Sequence, residues 1–232
     1  MTNYLIFGAS RGLGALFSRE LPNAGDTVWI VSRSEPYLDE LDGVVRVWIP
    51  ADLSMRGTGS MIAQKYGDAP LDVCLYNAGI WEDDAFGDSY DYEKVKDEDT
   101  ERIIAINLTS AIVSVQKLLP NLRRSKNAKI IFTGSINGME NSRAPEVAYS
   151  ASKFGLRGVT HALREVVRKD RISVTCVNLG SASATKDEME ADSNTRNTVS
   201  PDDLISVMRC IISLSNASCV KEIDLLAMSD GV

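Results

Sequence analysis

Tyr4-Leu5-Ile6-Phe7-Gly8-Ala9-Ser10-Arg11-Gly12-Leu13-Gly14 opens a chain of 232 residues with a short apolar run and three glycines. Leu13, Leu16, Phe17 and Leu21 carry it onward at helical spacing. Strand, glycine turn and helix, in that order, bring backbone N–H groups and a helix N-terminus to a phosphate. Glycine permits the sharp turn and the close approach of a pyrophosphate, where a Cβ would intrude. The spacing is G-x-x-x-G-x-G, not the G-x-G-x-x-G of the usual dinucleotide fingerprint. On these residues alone, a glycine turn that holds nothing is the alternative description.

The pattern repeats outward. Residues 27–31, 44–49, 71–76, 129–133, 172–178 and 222–226 read as further strands, each a short apolar run. Between them residues 58–66, 99–122 and 147–168 have helical spacing, and residues 36–41 make a short helix at most. Ser200-Pro201-Asp202-Asp203 is a helix start, with a hydroxyl cap, proline at the first position and acids in the first turn. That helix runs to about residue 214. Residues 81–99, acidic with interspersed aromatics, read as a solvated loop leading into a helix. Residues 181–199 are polar and irregular and read as a substrate lid.

Strands alternating with helices predict one α/β domain over residues 1–232: a doubly wound, mostly parallel seven-stranded sheet with helices on both faces. Ligands of such sheets sit beyond the C-terminal strand ends. The loop from Gly8 to Gly14 follows strand one, Arg33 strand two, Asp52 strand three, Asn77 to Gly79 strand four, Ser135 strand five and Gly180 strand six.

Composition narrows the function classes. The chain is 44% hydrophobic and 25% charged, with a net charge of −7 and a pI near 4.9. Nucleic-acid binding needs clustered cations, so no nucleic-acid partner is expected. No apolar run approaching about 18 residues is apparent, so no membrane partner is expected either. Met1-Thr2-Asn3 leads directly into the first strand without the features of a secretory signal. Cys74, Cys176, Cys210 and Cys219 lack metal-ligand spacing, and the first two lie in strand-like runs as buried thiols. No metal is expected, and the expected compartment is the reducing cytoplasm.

Tyr149 and Lys153 are four residues apart in the segment 147–168, on one face of the predicted helix. A phenol is ordinarily protonated up to about pH 10. An ammonium beside a phenol favours the phenolate and brings proton exchange with an alcohol oxygen within reach. A serine hydroxyl, Ser135, ends the fifth apolar run.

Taken together, these segments resemble the short-chain dehydrogenase/reductase family, in its compact single-domain branch, over nearly the whole chain. Gly8, Gly12 and Gly14 match its cofactor loop, Asp52-Leu53 its adenine-binding acid, and Asn77-Ala78-Gly79 its turn after strand four. Ser135, Tyr149 and Lys153 match its catalytic residues, and Asn107 falls where the family has an asparagine in its long helix. The resemblance implies a Rossmann fold and an NADP(H)- or NAD(H)-dependent oxidoreductase that interconverts a small-molecule carbonyl and alcohol. Hydride would come from the cofactor, with Tyr149 as proton donor, Ser135 binding the carbonyl oxygen and Lys153 also holding the nicotinamide ribose. Asn107 would hold a water behind the lysine. A homodimer or homotetramer is the implied assembly.

An acid after strand two would repel a ribose 2′-phosphate, and an arginine there attracts one. This chain has Arg33, with Arg11, Ser10 and Ser32 nearby, so NADP(H) is expected over NAD(H). The remaining cofactor contacts are assigned to Leu13 and Gly180. The sequence also departs from the family. Phe7 and Tyr76 replace a common threonine and asparagine, and Asn178-Leu179-Gly180 with Ala184 replaces an Asn-Pro-Gly segment with a later threonine. These departures keep a second reading open, a catalytically silent NADP(H)-binding regulatory or interaction protein, because fold alone does not imply activity.

Overall fold

β1 (Asn3–Phe7) is buried on both sides from Tyr4 onward, as a parallel strand covered by helices on two faces must be. The computed structural model describes residues 1–36, 42–140, 142–185 and 198–230. Around β1 lie β2 (Thr27–Ser32), β3 (Val45–Pro50), β4 (Val73–Tyr76), β5 (Lys129–Thr133), β6 (Ser173–Leu179) and β7 (Glu222–Leu225). The order is β3-β2-β1-β4-β5-β6-β7, and every neighbouring pair is parallel. The expected mostly parallel sheet is therefore all parallel.

Alternation along β1 divides the core in two. Leu5 and Phe7 point into a cluster with Ile62 and Tyr66 of α2 (Thr58–Tyr66), Val115, Leu118 and Leu122 of α4 (Ser110–Arg124), and Leu156 of α5 (Val147–Val167). Tyr4 and Ile6 point the other way, toward Leu16 and Phe17 of α1 (Gly12–Glu20) and Leu204, Met208 and Ile211 of α6 (Pro201–Ser213). The period of two on the strand is what sends successive residues to opposite layers. Strand order reverses between β1 and β4, which opens a crevice at their C-terminal ends.

Two elements differ from expectation. The helix expected over residues 99–122 spans 97–124, because Asp97, Glu98 and Asp99 make an acidic first turn for α3 (Asp97–Ile104). A π-helical turn, Ala105–Thr109, then separates α3 from α4. By length and composition an 18-residue window within the Asp97–Arg124 run also passes for a membrane span, with a mean hydropathy of 1.5, which corrects the expectation that no such run exists. Its apolar residues Ile103, Ile106, Ala111, Val115, Leu118 and Leu122 are instead buried within the protein. Ser200 caps α6 as expected, its hydroxyl accepting from the Asp203 amide at 3.0 Å. The short helix read at 36–41 falls mainly outside the described residues.

Candidate active site

The crevice widens into a cleft of about 850 Å³ whose lining joins the ends of all the central strands. At one end lies the glycine loop. Gly8 has φ +76°, and a Cβ there would come within 2.6 Å of the Ala78 backbone. Gly12, at φ +57°, has nothing within 4 Å of where a Cβ would stand, so the cleft floor is open at this point. No side chain caps α1, and no acid lies in its first turn. Uncapped first-turn amides facing a cleft beside an arginine suit a phosphate, so these residues fit a dinucleotide cofactor. Ser10, Arg11 and Leu13 line the same wall. Gly14 does not line the cleft: a Cβ on it would fall 2.1 Å from the Gly8 carbonyl oxygen, so this glycine permits α1 to pack on the loop.

Arg33, Asp52, Leu53, Asn77, Ala78, Gly79 and Gly180 also line the cleft, as does Ser32. The Ser32 hydroxyl donates to the Ser34 carbonyl at 2.8 Å and accepts from the Trp48 indole at 3.1 Å. Its hydrogen is directed at the loop's own backbone. Asp52 Oδ1 accepts from the Ser54 hydroxyl at 2.7 Å and the Ser54 amide at 2.9 Å. These bonds, with Arg33 and Arg102 nearby, hold its carboxyl below the usual range.

At the other end, α5 buries Tyr149 and Lys153 on one face, both lining the cleft. The Lys153 ammonium lies 5.4 Å from the centroid of the Tyr149 ring and donates to the Thr133 carbonyl at 2.9 Å. Ser135 follows β5 and lines the cleft too. Its Oγ accepts from the Asn137 amide at 3.2 Å and lies 3.4 Å from Asn137 Oδ1, a long contact that leaves its hydrogen easily redirected.

Asn107 stands behind this wall. Its Oδ1 accepts from the Ile80 amide at 2.9 Å, and its Nδ2 donates to the Ile80 carbonyl at 2.8 Å and to Ser152 Oγ at 3.0 Å. Lys153 Nζ and Asn107 Oδ1 converge on Gly79, lying 3.6 and 3.7 Å from the position a Cβ there would take. The asparagine thus ties the π turn to α5 and to the exit of β4. The neighbouring carbonyl, Ile106, accepts the Tyr76 hydroxyl at 2.6 Å. Burial pushes the Tyr76 phenol up, so it remains a donor. One of the departures from the family pattern therefore anchors the turn that carries Asn107.

Sequence reading missed a set of buried acids. Glu82 and Glu146 are each only 2% exposed. Glu82 Oε1 accepts from the amides of Ala148 at 2.8 Å and Tyr149 at 3.2 Å, so a distant loop caps α5 at its catalytic turn. Glu82 Oε2 is buried and has no hydrogen-bond partner among the described residues. Glu146 Oε1 accepts from the Phe86 amide at 2.9 Å, and its Oε2 from Asn137 Nδ2 at 3.0 Å. A buried chain thus runs from Ser135 through Asn137 and Glu146 to Phe86. The segment 81–99 was read as solvated because acids in a run normally are. Glu82 next to Trp81, directly after the Asn77-Ala78-Gly79-Ile80 turn, was the one available signal.

The segment 181–199 is described only at its ends. Ala182 bridges Val199, and Ser183 Oγ lies 2.8 Å from Thr198 Oγ1. Asp230 accepts from Ser181 through its amide at 3.2 Å and its hydroxyl at 3.0 Å. Residues 186–197, the bulk of the expected lid, lie outside the described residues. Leu179 and Ala184, where the sequence departs from the family, both line the cleft.

An all-parallel sheet with a glycine loop and an open crevice at its switch point defines a doubly wound α/β protein with the Rossmann arrangement. The model of the family described as short chain dehydrogenase matches residues 2–196, and the chain belongs to that family. It is 29% identical over 187 residues to a Pseudomonas aeruginosa rhamnolipids biosynthesis 3-oxoacyl-[acyl-carrier-protein] reductase, covering 76% of this chain and 71% of that one. It is 31% identical over 189 residues to the ketoacyl reductase HetN of a Nostoc species, covering 78% and 63% of the two chains. Among solved structures, Pseudomonas aeruginosa RhlG in an NADP complex superposes with a TM-score of 0.77 at 24% identity, covering 96% of this chain and 94% of that one. An alcohol dehydrogenase from Thermococcus sibiricus with 5-hydroxy-NADP gives 0.79 at 19% identity, with 98% and 97% covered.

Proposed function

We propose that the protein is an NADP(H)-dependent oxidoreductase that interconverts a carbonyl and an alcohol on a small molecule. The observation that carries this reading is that Ser135, Tyr149 and Lys153 line the same cleft as the uncapped N-terminus of α1 and Arg33. The cofactor, when bound, supplies or accepts the hydride. Gly8 to Leu13 would hold its pyrophosphate, Arg33 and Arg11 its 2′-phosphate, and Lys153 its nicotinamide ribose. In reduction the Tyr149 hydroxyl donates its proton to the oxygen that gains negative charge, and the Ser135 hydroxyl donates a hydrogen bond to that oxygen. The Lys153 ammonium, fixed by Thr133, stabilises the phenolate left behind. Asn107, locked to Ile80 and Ser152, keeps the lysine's surroundings in place and would hold the water behind it.

Relatives named as ketoacyl reductases support the carbonyl chemistry, and neighbours solved with NADP support the cofactor. A cytoplasmic homo-oligomer, joined through the outer faces of α4 and α5 where Ile112 and Phe154 are exposed, fits the same reading. The test is NADPH oxidation across a panel of aldehydes, ketones and quinones. Turnover of at least one class is expected. NADPH binding without turnover on any of them would instead mark a silent binder.

A further inference from the structure

Residues 81–100 contain nine acidic residues against two lysines, an excess equal to the net charge of the whole chain. Within this belt two aromatic residues face the cleft. Trp81 and Phe86 are 55% and 57% exposed, and both line the cleft. Their rings lie 5.6 Å apart and stand edge-on to Tyr149 at 6.2 and 5.6 Å. Phe86 is held at φ +66°, and Asp84 two residues earlier at +58°. A bulky side chain rarely enters this left-handed region, and it stays there only where its surroundings over-determine it. Here the Phe86 amide donates to the buried Glu146 carboxylate, whose other oxygen holds Asn137 beside Ser135. Backbone strain maintained to hold an exposed ring at the mouth of a cleft implies a use for the ring.

We propose that Trp81 and Phe86 are the specificity-determining wall of the substrate site, selecting an uncharged carbonyl compound with an aromatic or flat conjugated group. The inference rests on the carbonyl-reducing reading of the site. Two aromatic surfaces meeting at an angle accept a third ring by edge and offset contacts. The acidic belt around them opposes an anionic substrate through its field. A thioester carried on a phosphopantetheine arm would bring a phosphate to this mouth, where the acidic belt opposes it. The arginines that welcome phosphate, Arg11 and Arg33, belong to the other end of the cleft.

The experiment compares kcat/KM, with NADPH, for benzaldehyde, cyclohexanecarbaldehyde, 4-carboxybenzaldehyde and acetoacetyl-CoA at low and high salt. Wild type, Trp81→Ala and Phe86→Leu are measured, with Trp81→Leu in reserve, and melting temperature and NADPH affinity serve as controls of folding. The aryl-to-alkyl ratio should fall about three- to tenfold in each variant, mainly through KM. In the wild type, discrimination against the two anionic substrates should shrink as salt screens the belt. An aryl-to-alkyl ratio unchanged in both folded variants, or salt-independent discrimination, overturns the proposal. Inertness toward every carbonyl removes the carbonyl-reducing reading itself and the proposal with it, a result distinct from activity without selectivity.

Discussion

The two ends of the cleft are opposite in charge and in construction. Around β1 and β2 the wall is backbone, with the amides of the glycine loop and α1 and the guanidiniums of Arg11 and Arg33. Around α5 it is a buried lattice of side chains, Asn107, Asn137, Glu82 and Glu146, enclosed by an acidic loop with two exposed aromatic rings. The first end is built from a contiguous stretch of chain. The second is built from contacts such as Glu82 to Tyr149 and Glu146 to Phe86, between residues 67 and 60 positions apart. A backbone site can be specified locally, whereas a site made of long-range carboxylate contacts cannot.

The contrast in construction predicts its largest effect at Gly14. If the cofactor end is a backbone construction, Gly14→Ala must force β1 and α1 apart, since the new Cβ would meet the Gly8 carbonyl oxygen. Destabilisation of about 1–3 kcal/mol or more is expected, with loss of measurable NADPH binding. Thermal melting and an NADPH titration check this, and unchanged values would show the loop to be far more pliable than described. Arg33→Asp is the next largest. Removing a charge-assisted bond worth about 1.5–3 kcal/mol should lower the NADPH-over-NADH preference by roughly 10- to 100-fold or reverse it. The order of substrates should stay the same, because substrates sit at the other end. Equal wild-type affinity for both cofactors would contradict the assignment.

The lattice end responds differently. Glu82→Ala strips two amides of α5 of their acceptor and should cost about 1–2 kcal/mol of stability. It should also lower kcat while leaving NADPH affinity intact, and Glu82→Gln should recover part of both. A variant that loses NADPH affinity instead would mean that the two ends are not separable. The smallest effect is expected at Asp52. Its carboxyl is held below the ordinary value of 3.8 by Ser54 and the nearby arginines. Such a group adds stability that is fully present above its unfolded pKa and is lost as pH falls through the lower folded value. Melting temperatures of wild type and Asp52→Asn should therefore differ slightly at neutral pH and converge as pH falls below the ordinary carboxylate value and through the lower folded one. A constant gap across that range would show that the carboxylate's charge is irrelevant there.

The same division explains what could be read in advance. Six strands ending at one edge, the helix over residues 58–66 and the cap at Ser200 follow from periodicity and turn chemistry, which act over a few residues. The residues that meet along the cleft from Gly8 to Lys153 were visible because each follows a strand end. The π turn at Ala105–Thr109 was not visible, because its partners, Tyr76 to the Ile106 carbonyl and Ile80 and Ser152 to Asn107, come from distant parts of the chain. Glu82 and Glu146 were concealed for a related reason. An acid that caps a distant helix from inside the protein has the same local sequence as one that faces water. Gly14 was assigned to the cofactor by its motif, yet it stands one layer behind the cleft wall, where it lets α1 pack on the loop.

On this reading Tyr149 exchanges a proton with the substrate oxygen, while the glycine loop, Arg33 and Lys153 hold the cofactor. The direct test is NADPH titration together with steady-state rates, on a substrate the wild type reduces well, for wild type, Tyr149→Phe and Lys153→Ala. Tyr149→Phe should keep NADPH affinity and lose roughly 10²- to 10⁴-fold in turnover, whereas Lys153→Ala should weaken both. Full activity in Tyr149→Phe would mean that another group exchanges the proton.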